Sequence, residues 1–93
     1  MPAISPQAAQ ALLSHLPGWQ IESGELVRTF QFEDFRAALH FVNRVGELAE
    51  EAGHHPDIDI RYNHVRLSLV THSAGGLTEK DFALAGQAQT LAG

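Results

Sequence analysis

Three histidines give this sequence its clearest capacity for chemistry: the adjacent pair His54-His55 and, further along the chain, His72. Imidazole titrates near neutrality, around pH 6.5, so one such group can give a proton and another accept one at pH 7. Grouped imidazoles therefore suit general acid–base catalysis. A metal centre is the rival reading, because three imidazoles can hold zinc with one position open. Adjacent His-His is awkward for tetrahedral coordination, and no His-Glu-x-x-His pattern lies on a helix. The remaining histidines, His15, His40 and His64, read as structural or incidental.

The elements that must position these side chains follow from periodicity. Ser5-Pro6 has the form of an N-cap followed by proline at the first helical position. Ala9, Leu12, Leu13 and Leu16 then repeat at helical spacing until Pro17-Gly18. Trp19 to Glu22 and Leu26 to Phe32 read as strands joined at Ser23-Gly24. A longer helix is expected from about Asp34 to Ala52, with Phe35, Leu39, Val42, Val45, Ala49 and Ala52 on one stripe and Gly53 as its stop. Gly46 inside it costs roughly 1 kcal/mol relative to Ala.

Ile58, Ile60 and Tyr62 alternate in the next strand, and Val65, Leu67 and Leu69 in the one after. Asn63-His64 is the expected turn between them. After Ser73-Ala74-Gly75-Gly76, Thr78 opens a last helix with Phe82, Ala85 and Ala88 inward, and Thr78 to Asp81 has the spacing of a capping box. The strand-strand-helix unit occurs twice. The pattern predicts an α+β fold, order α-β-β-α-β-β-α, with helices on one face of an antiparallel sheet.

A turn at Asn63-His64 would set Tyr62 against Val65, Ile60 against Leu67 and Ile58 against Leu69. Carried outward, that register brings Pro56 opposite Thr71 and His55 opposite His72, with His54 adjacent, so the three imidazoles converge. The same register opposes Arg61 to Arg66, which counts against it. Glu50, one helical turn before His54, could orient an imidazole or simply be solvated. Trp19 and Tyr62 read as core aromatics.

Ninety-three residues make one domain, 1–93, with a single small core, so association with a second copy would add stability. Eleven acidic against six basic residues leave a net charge of -5, which disfavours direct nucleic acid binding. The chain has no cysteine and therefore no disulfide. No membrane span is expected, and the opening Met-Pro-Ala-Ile-Ser-Pro lacks the features of a secretory signal, so a cytoplasmic location is the expectation.

Beyond these readings, the run Ala49-Glu50-Glu51-Ala52-Gly53-His54-His55-Pro56-Asp57, then Tyr62-Asn63-x-Val65, then Leu69-x-Thr71-His72-x-x-x-Gly76-Leu77-Thr78-x-x-Asp81, closely resembles the pterin-4a-carbinolamine dehydratases. Leu16-x-x-Trp19 resembles the early tryptophan of that family. The resemblance implies a four-stranded antiparallel sheet with three helices on one face. It implies a lyase, working without metal or cofactor, that dehydrates a 4a-hydroxytetrahydropterin (4a-hydroxytetrahydrobiopterin) to quinonoid dihydropterin. This would recycle the pterin of aromatic amino acid hydroxylases, notably phenylalanine hydroxylase.

By the same resemblance His54 and His72 are expected to transfer protons to the leaving hydroxyl, and His55 to bind and orient the ring. Pro56, Thr71, Ser73 and Ala74 would shape the pterin pocket, while Asp81 would also steady His72. A homodimer or homotetramer is expected. The alternative reading is a non-enzymatic binding module, since animal members of the family also stabilise the dimer of a homeodomain transcription factor.

Overall fold

The computed structural model describes residues 2–93; Met1, where the sequence reading of the amino terminus begins, lies outside them. Its elements are α1 (Pro6–Leu13), β1 (Gln20–Glu22), β2 (Glu25–Gln31), α2 (Phe35–Ala52), β3 (Asp57–Arg61), β4 (His64–Leu69), a single 3-10 turn (His72–Ala74) and α3 (Glu79–Ala92). This is the expected α+β order. Capping drives the boundaries: Ser5 Oγ accepts the Ala8 N–H at 3.1 Å, and Asp34 Oδ1 accepts that of Ala37 at 2.8 Å.

The four strands form one antiparallel sheet in the order β1-β2-β4-β3. The central β2–β4 ladder, from Leu26 opposite Leu69 to Gln31 opposite His64, joins the two strand pairs that the sequence presents separately. Leu26, Phe30, Val65, Leu67 and Leu69 point to one face. There they pack with Ala38, Phe41 and Val45 of α2, Phe82, Ala85 and Ala88 of α3, and Ala9 of α1. Phe30 is the aromatic centre, with the Phe41 ring centroid 4.9 Å away and Trp19 edge-on at 5.9 Å.

Three sequence expectations need correction. The β3–β4 turn is Tyr62-Asn63, not Asn63-His64, so Ile58 faces Leu67, Ile60 faces Val65 and Arg61 faces His64. Side-chain parity survives because the slip is by two residues. What fixes the turn is the residue that follows β2: Asn63 Nδ2 donates to the Phe32 carbonyl at 2.9 Å, and the Phe32 N–H donates to the Asn63 carbonyl at 2.8 Å. The cost is a left-handed Tyr62, φ 52°. The shift also replaces the Arg61–Arg66 opposition with Asp59 opposite Arg66.

The second correction concerns Tyr62 itself, which is 68% exposed on the turn rather than in the core; Trp19 is buried as expected. The third concerns α2. Its core stripe is Ala38, Phe41, Val45 and Ala49, whereas Phe35 and Leu39 remain 46% and 38% exposed. The helix carries two apolar stripes, and the sheet can cover only one.

Leu67 lies in the ladder centre at 1% exposure and packs against the helices. Leu67→Ala is expected to lower unfolding free energy by about 2–5 kcal/mol. Urea denaturation checks this, and a loss below about 1 kcal/mol would mean the sheet–helix core is not closed there.

Candidate active site

The site forms where α2 ends, β4 ends and α3 begins. Gly53, left-handed at φ 63°, stops α2 in a Schellman arrangement: its N–H donates to the Glu50 carbonyl at 3.3 Å and the His54 N–H donates to that of Ala49 at 3.2 Å. The backbone of His54 is therefore fixed by helix termination before its side chain makes any contact.

That side chain meets a buried acid. His54 Nε2 lies 2.5 Å from Asp81 Oδ1, with the imidazole 12% exposed and the carboxylate fully buried. Asp81 Oδ2 accepts the Thr71 hydroxyl at 2.8 Å and the Thr78 backbone N–H at 2.9 Å. The latter is half of the capping box that opens α3, as the spacing from Thr78 to Asp81 predicts. Thr71 and Thr78 also join to each other, Oγ1 to Oγ1, at 2.8 Å. One carboxylate thus ties three chain segments together. Its imidazole partner is His54, where the sequence reading had Asp81 steadying His72.

His55 lies outside this network. Its Nε2 pairs with Glu50 Oε2 at the surface. Both partners are open to solvent, 60% and 78% exposed, and such a pair contributes little to stability. Pro56 follows, half-buried and outside the β3 ladder, which begins at Asp57 opposite Ser68.

His72 follows Thr71 directly and begins the 3-10 turn with Ser73 and Ala74. The turn is closed by backbone bonds: Ala74 N–H to the Thr71 carbonyl at 3.0 Å, Gly75 N–H to that of His72 at 3.0 Å, and a Thr71–Gly76 bridge. His72 and Ser73 are exposed and Ala74 is half-buried. The β3–β4 ladder does not oppose His55 to His72, because the observed register pairs neither residue. The link between these segments is Asp81, which holds His54 on one side and Thr71, the neighbour of His72, on the other.

Two supports of the site were not read from the sequence. The Thr78 hydroxyl was counted only as a cap, and no local pattern announces its bond to Thr71. The amino-terminal segment also backs the loop: the Ile4 N–H donates to the Leu77 carbonyl at 2.9 Å. A Cβ placed on Gly76 would come within 3.0 Å of the Ala3 Cβ, which gives that glycine a packing reason.

This arrangement, an imidazole anchored on a buried acid with an exposed histidine next to it in the chain and another next to Thr71, is a candidate for proton transfer to a small molecule. The family model described as pterin 4 alpha carbinolamine dehydratase matches residues 2–91. The chain belongs to this family. A relative from Acidobacterium capsulatum, provisionally named pterin-4-alpha-carbinolamine dehydratase, is 57% identical over 98% of this chain and 99% of its own length.

Among solved structures, a transcriptional coactivator/pterin dehydratase from Brucella melitensis superposes with a TM-score of 0.95 at 33% identity, covering 98% of this chain and 99% of that one. A pterin dehydratase-like protein identified as a RuBisCO assembly factor in the alpha-carboxysome gives a TM-score of 0.67 at 28% identity, covering 81% of this chain and 87% of that one. The dehydratase fold therefore serves proteins described by more than one role.

Asp81→Asn is expected to destabilise the protein by about 1–3 kcal/mol, because an amide at a site of converging donors must turn an N–H toward one of them. Glu50→Gln, at a solvated pair, is expected to leave the urea midpoint unchanged. Equal midpoint shifts for the two variants would contradict the assigned difference between buried and exposed pairs.

Proposed function

We propose that this chain, as a single domain over residues 1–93, is a lyase that dehydrates 4a-hydroxytetrahydropterin by imidazole acid–base catalysis. The observation that carries the reading is the pairing of His54 with buried Asp81, beside His55 and across Asp81 from the Thr71-His72 step. In the reaction the C4a–O bond breaks and N5 loses its proton. The N5–H electron pair becomes the second bond of C4a=N5, and the departing hydroxide takes up a proton. The products are quinonoid dihydropterin and water.

An acid and a base working near pH 7 are required, and histidine can serve as either. His54 and His72 are assigned to proton transfer at the leaving oxygen, and His55 to binding and orienting the ring. Pro56, Ser73 and Ala74 border these histidines and would shape the pocket. Backbone groups at the end of β4 and in the 3-10 turn are suited to pair with the amide edge of a pterin. No metal or cofactor is required by this scheme. The activity would recycle the pterin used by aromatic amino acid hydroxylases such as phenylalanine hydroxylase. The physiological setting would be the cytoplasm; no helix among the described residues is long and apolar enough to cross a membrane.

Self-association as a dimer or tetramer is part of the proposal. Phe35, Leu39, Val42 and Gly46 recur at helical spacing on α2, Phe35 and Leu39 are exposed, and a Cβ on Gly46 would meet nothing within 4 Å in the chain. The exposed apolar end of this stripe, Phe35 and Leu39, suits burial against another copy. Sedimentation is expected to give a mass above that of the monomer, and a monomer alone at high micromolar concentration would refute it.

A second reading, a non-enzymatic binding module, is favoured by the coactivator and assembly-factor descriptions of the structural neighbours. Turnover of the carbinolamine by purified protein separates the two. His54→Ala and His72→Ala are each expected to reduce turnover by about 10²- to 10⁴-fold, His72→Ala with the fold intact and His54→Ala with some loss of stability because it removes a donor from buried Asp81. His15→Ala is expected to remain near wild type, and EDTA to leave turnover unchanged. Activity lost to chelator and restored by zinc would overturn the imidazole mechanism.

A further inference from the structure

The buried network has a direction. A carboxylate accepts hydrogen bonds and does not donate them. At 2.8 Å from Asp81 Oδ2, the Thr71 hydroxyl therefore gives its one hydrogen to the acid. The hydrogen in the 2.8 Å contact between the two threonine oxygens must then come from Thr78. Thr78 Oγ1 in turn accepts the backbone N–H of Lys80 at 3.3 Å. Donors run one way, from Lys80 N–H through the Thr78 and Thr71 hydroxyls to Asp81.

The same rule fixes the imidazole. Asp81 Oδ1 faces His54 Nε2 at 2.5 Å, so that nitrogen carries the hydrogen. In the neutral ring the lone pair then belongs to Nδ1. Both threonines are buried, Thr71 7% exposed and Thr78 1% exposed, and their hydroxyls are bonded within the network.

We propose that Thr71 and Thr78 are positioning residues which, through Asp81, hold neutral His54 as its Nε2–H tautomer and make Nδ1 the nitrogen that exchanges protons with the substrate. The assignment deepens the dehydratase reading and rests on it for the reaction served. Thr71 acts here through the carboxylate, although the resemblance had suggested a residue of the pterin pocket. Deleting its hydroxyl leaves Oδ2 with the Thr78 N–H alone and frees the Thr78 hydroxyl to turn. The acid is then less firmly aimed at His54.

The test is ring ¹⁵N NMR of the full chain without substrate, at a pH where imidazole is neutral, alongside steady-state kinetics. Wild-type His54 is expected to show a protonated Nε2 and an unprotonated Nδ1. Thr71→Val is expected to give a mixture of both tautomers and a kcat lower by about ten- to hundredfold, the range of a lost hydrogen bond to a charged group. KM should stay within about twofold, since no substrate contact is removed. Thr71→Ser and Thr78→Ser, which keep the hydroxyls, should match wild type in both readouts.

A wild-type His54 with its hydrogen on Nδ1 overturns the proposal, as does a Thr71→Val protein with wild-type spectrum and kcat. If Thr71→Val does not fold, the wild-type spectrum together with full activity in Thr71→Ser supports it, and low activity in folded Thr71→Ser opposes it. The NMR readout needs no turnover, so failure of the dehydratase reading is distinguishable from failure of the tautomer assignment.

Discussion

A carboxylate without access to water must find donors within the protein, because the desolvation cost of an unpaired charge exceeds what a small domain can absorb. Asp81 is such a group. Its donors come from the end of α2, the end of β4 and the start of α3, so satisfying one side chain requires three segments to meet. The Schellman stop at Gly53, the Thr71–Gly76 bridge and the capping box at Thr78 each fix one of those segments independently. The candidate site is thus built from element termini whose own backbone bonds already hold them.

Two adjacent histidines consequently live in different surroundings. His54 is held against a buried acid, while His55 pairs at the surface with Glu50 in the last turns of α2. The sequence makes them neighbours; the left-handed glycine before them sends the chain out of the helix so that their side chains diverge. Such a division suits a site in which one group must hold a geometry and another must adapt to a ligand.

Much of this was legible in the residue pattern. Helix caps and the left-handed glycine are local signals, and they gave the boundaries of α2 and α3. The threonine-to-aspartate capping box was likewise readable, but its second use on His54 was not, since that bond joins the ends of two helices far apart in sequence. The hairpin turn is ambiguous in the sequence because Asn63 fits either turn position, and the deciding bonds come from Phe32, just past the end of β2. The inward stripe of α2 was ambiguous because the helix has apolar residues on two faces, and only the packed sheet selects one. Local chemistry was visible; choices made by tertiary partners were not.

The chain has one tryptophan, and Trp19 is buried with its ring edge against Phe30 and its Nε1–H on Gln89 Oε1 at 3.0 Å. Gln89 lies on α3 eight residues beyond Asp81, about 12 Å along the axis. Indole emission in this protein therefore originates in the core, against a part of α3 well along the helix from Asp81. A substitution at His55 or His72, both at the surface, can leave the fluorescence spectrum as it was, whereas loosening of the helix–sheet packing will redden it. The molecule carries its own optical gauge of folding, separate from any measure of turnover.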